Sequence, residues 1–201
     1  MFRLPLIFSF LFVAILSACS GQQERPIAVL ETTQGNIEIE VYTDQAPISG
    51  EDFLRYVENG YYNGEGFYRV VRADNDPLDM GMSLIQGGCL DSEPIPPLID
   101  HELTTETGLS NTEGVVSIAR SEPGTGSAAY FFINIGENSF LDYGGERNPD
   151  GQGYATFGKV VSGMDTVRKI QSLEAKGLSG DNVTTGQILT TPVKINVAYR
   201  K

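Results

Sequence analysis

The chain has 201 residues, 40% of them hydrophobic and 20% charged, a globular balance that fits one domain with a leader and a tail. Its 14 Lys and Arg against 26 Asp and Glu give a net charge of −12. The cations are scattered, which argues against a nucleic-acid partner and against a basic patch gripping anionic lipid.

At the N-terminus, Met1-Phe2-Arg3 is a short positive start, and Leu4 to Leu16 is an apolar run too short to span a bilayer comfortably. Leu16-Ser17-Ala18-Cys19 follows at once, and the pattern resembles the lipobox of bacterial lipoproteins. That resemblance implies a signal peptide over residues 1–18, lipidation of Cys19 and a lipidated tether over residues 19–27. Ser20, in place of Asp, implies the periplasmic side of the cell envelope and an anchor in the outer membrane. The competing reading is an ordinary secretory signal with a chance cysteine.

The domain begins with the stretch Ile27 to Tyr42, in which Ile37, Ile39 and Val41 alternate with Glu38, Glu40 and Tyr42 and Gln34-Gly35-Asn36 sits between two runs, and it reads as a β-hairpin with one wet face. Ala46-Pro47 leads into an amphipathic helix whose Phe53, Leu54 and Val57 share a face, stopped by Asn59-Gly60. Phe67-Tyr68-Arg69-Val70-Val71 then reads as a buried strand that carries an arginine, and a charge there needs a reason. Leu84-Ile85-Gln86-Gly87-Gly88 is a second apolar run with one amide and a glycine pair. The Arg72–Gly81 stretch between them contains Asp74-Asn75-Asp76, which lacks the later Gly and Glu of a calcium loop and reads as a solvated turn. Cys89 is left without a disulfide partner and reads as a small buried hydrophobe.

After an extended, proline-rich Glu93–Pro97, the single histidine, His101, is expected at a strand start, since a histidine metal site would want more than one. Gly114 to Arg120 and Ser127 to Asn134 are two further strands, and Tyr154 to Val161 is another. Met164, Val167 and Ile170 mark a second helix, and Val193 to Tyr199 alternates as a closing strand. About eight short strands and two helices suit a mainly β fold, a closed eight-stranded antiparallel β-barrel capped by two α-helices.

From about Ala28 to the C-terminus, the arginine strand, the glutamine strand and Tyr130-Phe131-Phe132 resemble the cyclophilins, a family of peptidyl-prolyl cis-trans isomerases, so residues 28–201 are expected to form one cyclophilin-like domain. The resemblance implies that Arg69 is catalytic and that Gln86 helps place it and the substrate. It implies a proline pocket walled by Leu84, Phe132 and Leu141, and an edge at Ala119 and Arg120 whose backbone binds the extended peptide. Phe140 and Tyr154 stand where many eukaryotic members have Trp and His. Neither cofactor nor metal is implied, and the partners are proline-containing polypeptides, with the membrane met through the lipid anchor.

Two positions depart from the family. Tyr130 replaces a usual Gln at the pocket rim, and Ser83 falls where an apolar wall residue is expected unless Met82 takes its place. The expected work is X-Pro rotation that assists folding of envelope proteins. A peptide-binding, chaperone-like module with little turnover is the alternative, and a purely structural lipoprotein is a weaker third reading.

Overall fold

The computed structural model describes residues 24–89, 97–122, 124 and 126–201; the leader with Cys19 and the Glu93–Pro96 stretch lie outside these residues. Strands β1 (Ile27–Thr32), β2 (Gly35–Val41), β3 (Gly66–Val71), β4 (Leu84–Gly88), β5 (Val115–Arg120), β6 (Gly126–Asn134), β7 (Thr156–Ser162) and β8 (Ile188–Arg200) make one sheet. Neighbours run antiparallel in the order β1-β2-β7-β5-β6-β4-β3-β8, and β8 returns to β1 to close a barrel. Closure leaves no unpaired sheet edge around the core.

Period-two alternation fills the interior. Ile37, Ile39 and Val41 of β2, Phe67 and Val70 of β3, Ile85 of β4 and Phe131 and Ile133 of β6 are completely buried. Helix α1 (Pro47–Glu58) closes one end, with Pro47 in its first turn, where the missing N–H costs nothing. Its Phe53 ring lies 4.8 Å from Phe157, 5.4 Å from Phe131 and 5.5 Å from Tyr62, centroid to centroid. Two hydrogen-bonded contacts seat this helix: Asp52 accepts the Ala128 N–H at 2.7 Å, and Glu102 accepts the N–H groups of Ile48 and Ser49 at 3.0 and 2.7 Å. An acid at the N-terminal end of a helix meets the positive end of its dipole.

Helix α3 (Met164–Gln171) closes the opposite end by packing on β2, β3 and β4, with Val167 and Ile170 fully buried. Gly87 and Gly88 let β4 run close to its neighbours. A side chain at Gly88, whose φ is +138°, would put Cβ 1.9 Å from the Ala129 carbonyl oxygen, and one at Gly87 would come 2.8 Å from the Phe67 ring.

Three local details differ from the sequence reading. A third, four-residue helix α2 (Thr104–Thr107) and a 3-10 turn (Ser139–Leu141) accompany the two long helices. His101 is not at a strand start; it lies in an irregular stretch before α2, its Nε2 3.1 Å from the Gln152 carbonyl oxygen. The Asp74-Asn75-Asp76 turn is not merely solvated, because Asp76 is buried and its carboxylate accepts the backbone N–H groups of Leu78, Met80 and Met82.

Candidate active site

The alternation that sends Ile85, Phe131 and Ile118 inward sends Leu84, Gln86, Phe132 and Ala119 to the outside of the barrel. There a second apolar cluster forms from Val71, Met82, Leu84, Phe132 and Leu141, with Ala119, Phe140 and Tyr154 packed against it. It surrounds a small hollow of about 80 Å³ that Arg69, Gln86, Arg120, Tyr154 and Arg147 also line. Met82, not Ser83, supplies the missing apolar wall: Met82 is buried in the cluster, while the Ser83 hydroxyl accepts a 2.7 Å hydrogen bond from Gln171 Nε2.

Arg69 reaches this face through a fault in the ladder. Phe67 and Arg69 pair with the adjacent Gly87 and Gln86 of β4, so Tyr68 between them is extra, and the pairing of β3 with β8 shifts register at the same point. In a regular strand Tyr68 and Arg69 would point to opposite faces. Here both leave the core, while Phe67 and Val70 stay inside, fully buried.

The guanidinium is held at two points. Arg69 Nη1 donates to Gln86 Oε1 at 2.8 Å, and Nε donates to Gln187 Oε1 at 2.8 Å. Each amide is oriented in turn: Gln86 Nε2 donates to the Tyr68 hydroxyl at 2.7 Å, and Gln187 Nε2 donates to the Asn75 carbonyl at 2.8 Å. Burial lowers the Arg69 pKa from its ordinary value and pushes the Tyr68 phenol up to about 12. The cation is therefore desolvated and met by neutral oxygens.

The remaining candidates divide around this centre. Leu141 is positioned by the 3-10 turn, whose Asn138 is buried and donates to Ser83 O and Asn134 Oδ1, each at 2.8 Å. Tyr154 stands edge-on to Phe132, with ring centroids 5.4 Å apart. Arg120 lines the hollow with its guanidinium already engaged. Its Nη1 and Nη2 bind the Asp150 carboxylate at 2.9 and 2.8 Å, its Nε donates to Gly153 O at 2.8 Å, and it braces the 142–153 loop. The β5–β6 ladder shifts register between Ile118 and Arg120, so Ala119 has no cross-strand partner there, which suits a site for an added extended chain. Tyr130 lies outside the small hollow, in an adjoining groove of about 620 Å³ that it shares with Tyr68, Gln86, Ala119 and Arg120.

Gln187, fully buried just before β8, went unread in the sequence, as did Arg147. Both sit in loops rich in Gly, Thr, Asn and Asp where no periodicity marks one polar residue above its neighbours. Among the described residues, no three of His, Cys, Asp and Glu converge where a metal ion could be held.

A polarised hollow of this kind needs only a substrate that presents a small apolar ring beside a hydrogen-bond acceptor. Comparison with known proteins agrees with that chemistry. A family model for cyclophilin type peptidyl-prolyl cis-trans isomerase/CLD matches residues 27–197. A peptidyl-prolyl cis-trans isomerase of Acinetobacter baylyi is 38% identical over 146 residues, covering 72% of this chain and 71% of that protein. The peptidyl-prolyl cis-trans isomerase A of Dickeya dadantii is 34% identical over 172 residues and 83% of each chain. Among solved structures, a Cryptosporidium parvum cyclophilin type isomerase superposes with a TM-score of 0.63 at 19% identity, covering 88% of this chain and 98% of that one, a likeness of fold. The chain belongs to the cyclophilin-type peptidyl-prolyl cis-trans isomerase family.

Proposed function

We propose that Arg69 is the catalytic residue of this isomerase and that the hollow beside it takes the prolyl ring of an X-Pro segment. Resonance holds the amide planar with a barrier of ~18–20 kcal/mol, and unaided rotation takes on the order of tens to hundreds of seconds. At the twisted geometry conjugation is lost and the prolyl nitrogen regains its lone pair. An N–H aimed at that nitrogen stabilises the twisted amide more than either planar form, which is the condition for raising the rate. No proton has to be transferred, so an arginine that never titrates is sufficient.

The observation that carries this reading is the two-glutamine clamp. Gln86 and Gln187 occupy Nη1 and Nε, fixing the guanidinium plane, while Nη2 takes no partner among the described residues and is the donor we assign. Because the clamping oxygens are uncharged, the cation keeps its full charge for the substrate. Leu84, Phe132, Leu141 and Met82 hold the ring, with Phe140 and Tyr154 packed around them. The Ala119–Arg120 backbone, Gln86 and Tyr130 bind the chain on the groove side.

The test is paired: exchange rate by NMR at saturating X-Pro peptide, and the dissociation constant by titration. Arg69→Ala should lower kcat/KM by ~10²–10³, about 2.7–4 kcal/mol of transition-state stabilisation, while affinity largely survives. Arg69→Lys should recover little, since an ammonium lacks the planar fork. Unchanged exchange in folded Arg69→Ala would end this assignment. A wild-type protein that binds peptide without detectable exchange would favour the binding-module reading.

We also propose that the enzyme acts on proline-containing envelope polypeptides from the periplasmic side, anchored through lipid on Cys19 to the outer membrane. What supports this is the positive start, the apolar run and the Leu16-Ser17-Ala18-Cys19 sequence, followed by a short polar tether. The wild-type protein should partition with membranes and Cys19→Ser should not. Recovery of the wild type wholly in the soluble periplasmic fraction would count against the anchor.

A further inference from the structure

The hollow that Arg69 faces has two further cations on its wall, Arg120 and Arg147. Arg147 comes from the loop between the 3-10 turn and β7, tied down by its own N–H, which donates to Phe140 O at 3.2 Å. The contrast with Arg120 on the same wall is informative, because every guanidinium nitrogen of Arg120 is hydrogen-bonded to Asp150 or Gly153. Arg147 Nε, by comparison, is buried with no hydrogen-bond partner. A buried donor without an acceptor is costly and is rarely tolerated without a reason.

The charges around it deepen the anomaly. Arg147 and Arg69 repel each other, and the repulsion adds to the burial that lowers the Arg69 pKa. Asp181 is the acid whose charge reaches Arg69, yet its carboxylate is already engaged by the Thr184 N–H and hydroxyl at 2.7 and 3.0 Å. In a chain with a net charge of −12, one small pocket thus keeps two guanidinium groups, those of Arg69 and Arg147, with no carboxylate among the described residues lining it.

We propose that Arg147 is a specificity-determining residue that receives a substrate carboxylate, so that the enzyme favours X-Pro segments with an acidic side chain next to the proline. This rests on the isomerase reading of the same site. Arg147 shares the hollow with the ring-holding Leu84, Phe132 and Leu141, and adjacent Cα atoms are about 3.8 Å apart, so only a residue flanking the proline can present its carboxylate there. A guanidinium matches a carboxylate in planarity and fork spacing. A neutral carbonyl would satisfy one N–H and leave the repulsion between the two arginines in place.

The experiment measures kcat/KM by NMR exchange on peptides blocked at both ends, with Glu or Gln placed directly before or directly after the proline. The wild-type protein should prefer Glu over Gln on one flank by roughly three- to five-fold at low ionic strength, the range of a partly solvated ion pair. The preference should shrink as salt is raised from about 0.05 M to about 0.5 M. In Arg147→Gln the Glu-to-Gln ratio should fall to about one, and in Arg147→Lys it should persist in part. The ratio is the readout, whatever happens to the absolute rate, and the salt series on wild type supplies it even if a variant fails to fold. A ratio of one on both flanks in wild type, or a ratio unchanged in folded Arg147→Gln, overturns the proposal. Absence of exchange with every peptide would instead overturn the isomerase reading.

Discussion

The inside of the barrel and the patch on its outside are built from the same strands and obey different rules. Inside, Phe53, Tyr62, Phe131 and Phe157 pack ring against ring in a cluster of hydrophobic side chains. Outside, apolar side chains from the same β4 and β6 surround a cation, and Arg69, Gln86 and Tyr68 hold one another's direction through hydrogen bonds. The interior is a matter of volume, and the exterior is a matter of aim. Substitutions in the two regions should fail in different currencies: stability for one, turnover for the other.

The largest expected effect tests the interior. Phe53→Ala removes a ring that touches three others and should cost about 3–5 kcal/mol of folding stability, read as a shift in the denaturation midpoint. While folded, it should keep its preference among X-Pro peptides. A changed preference at undiminished stability would break the division. Next comes the clamp, whose effect should lie below that of Arg69→Ala itself. Gln187→Ala leaves Arg69 Nε without its acceptor and should lower kcat by about tenfold, equivalent to roughly 1.4 kcal/mol, with KM little changed.

Gln187→Glu sharpens that result, since it keeps an acceptor but places a carboxylate against the cation. If charge availability matters, the glutamate variant should also lose turnover; full activity would mean that orientation alone is required. The smallest effect belongs to Tyr130, on the groove side. Tyr130→Gln should leave the denaturation midpoint within about 0.5 kcal/mol and alter only the preference for the residue before proline. Identical kinetics across an X-Pro series would place Tyr130 outside the substrate's path.

Much of this was legible in the chain because alternation reports which face a residue takes. The eight strands and the two capping helices follow from runs in which apolar and polar residues keep a period, whereas the grouping of Arg69 with Gln86, Phe132 and Leu141 came from the resemblance to the cyclophilins. What escaped was set by contacts between distant loops. Gln187 lies 118 residues from Arg69 and reaches it only because β8 pairs with β3. The Arg72–Gly81 stretch read as a solvated turn, whereas Arg72 donates to the Gln171 carbonyl and Asn75 to those of Val70 and Gly186, tying the turn to the end of α3 and to the stretch before β8. Propensity reports turn chemistry but not which far carbonyl a side chain will find. Ser83 and Met82 show the same limit at one position: the wall needed an apolar side chain, and the approach to β4 supplied it one residue earlier.

Holding an arginine with amides also frees the site from the acidity of its surroundings. The Tyr68 phenol, pushed up to about 12, keeps its proton through neutral and mildly alkaline conditions, and Asp181, held below its ordinary value, keeps its charge into mild acid. The lone histidine is occupied at Gln152, away from the hollow. No group that aims the guanidinium changes charge between mild acid and mild alkali. The rate of X-Pro exchange should therefore hold level as the pH rises and falls within that range.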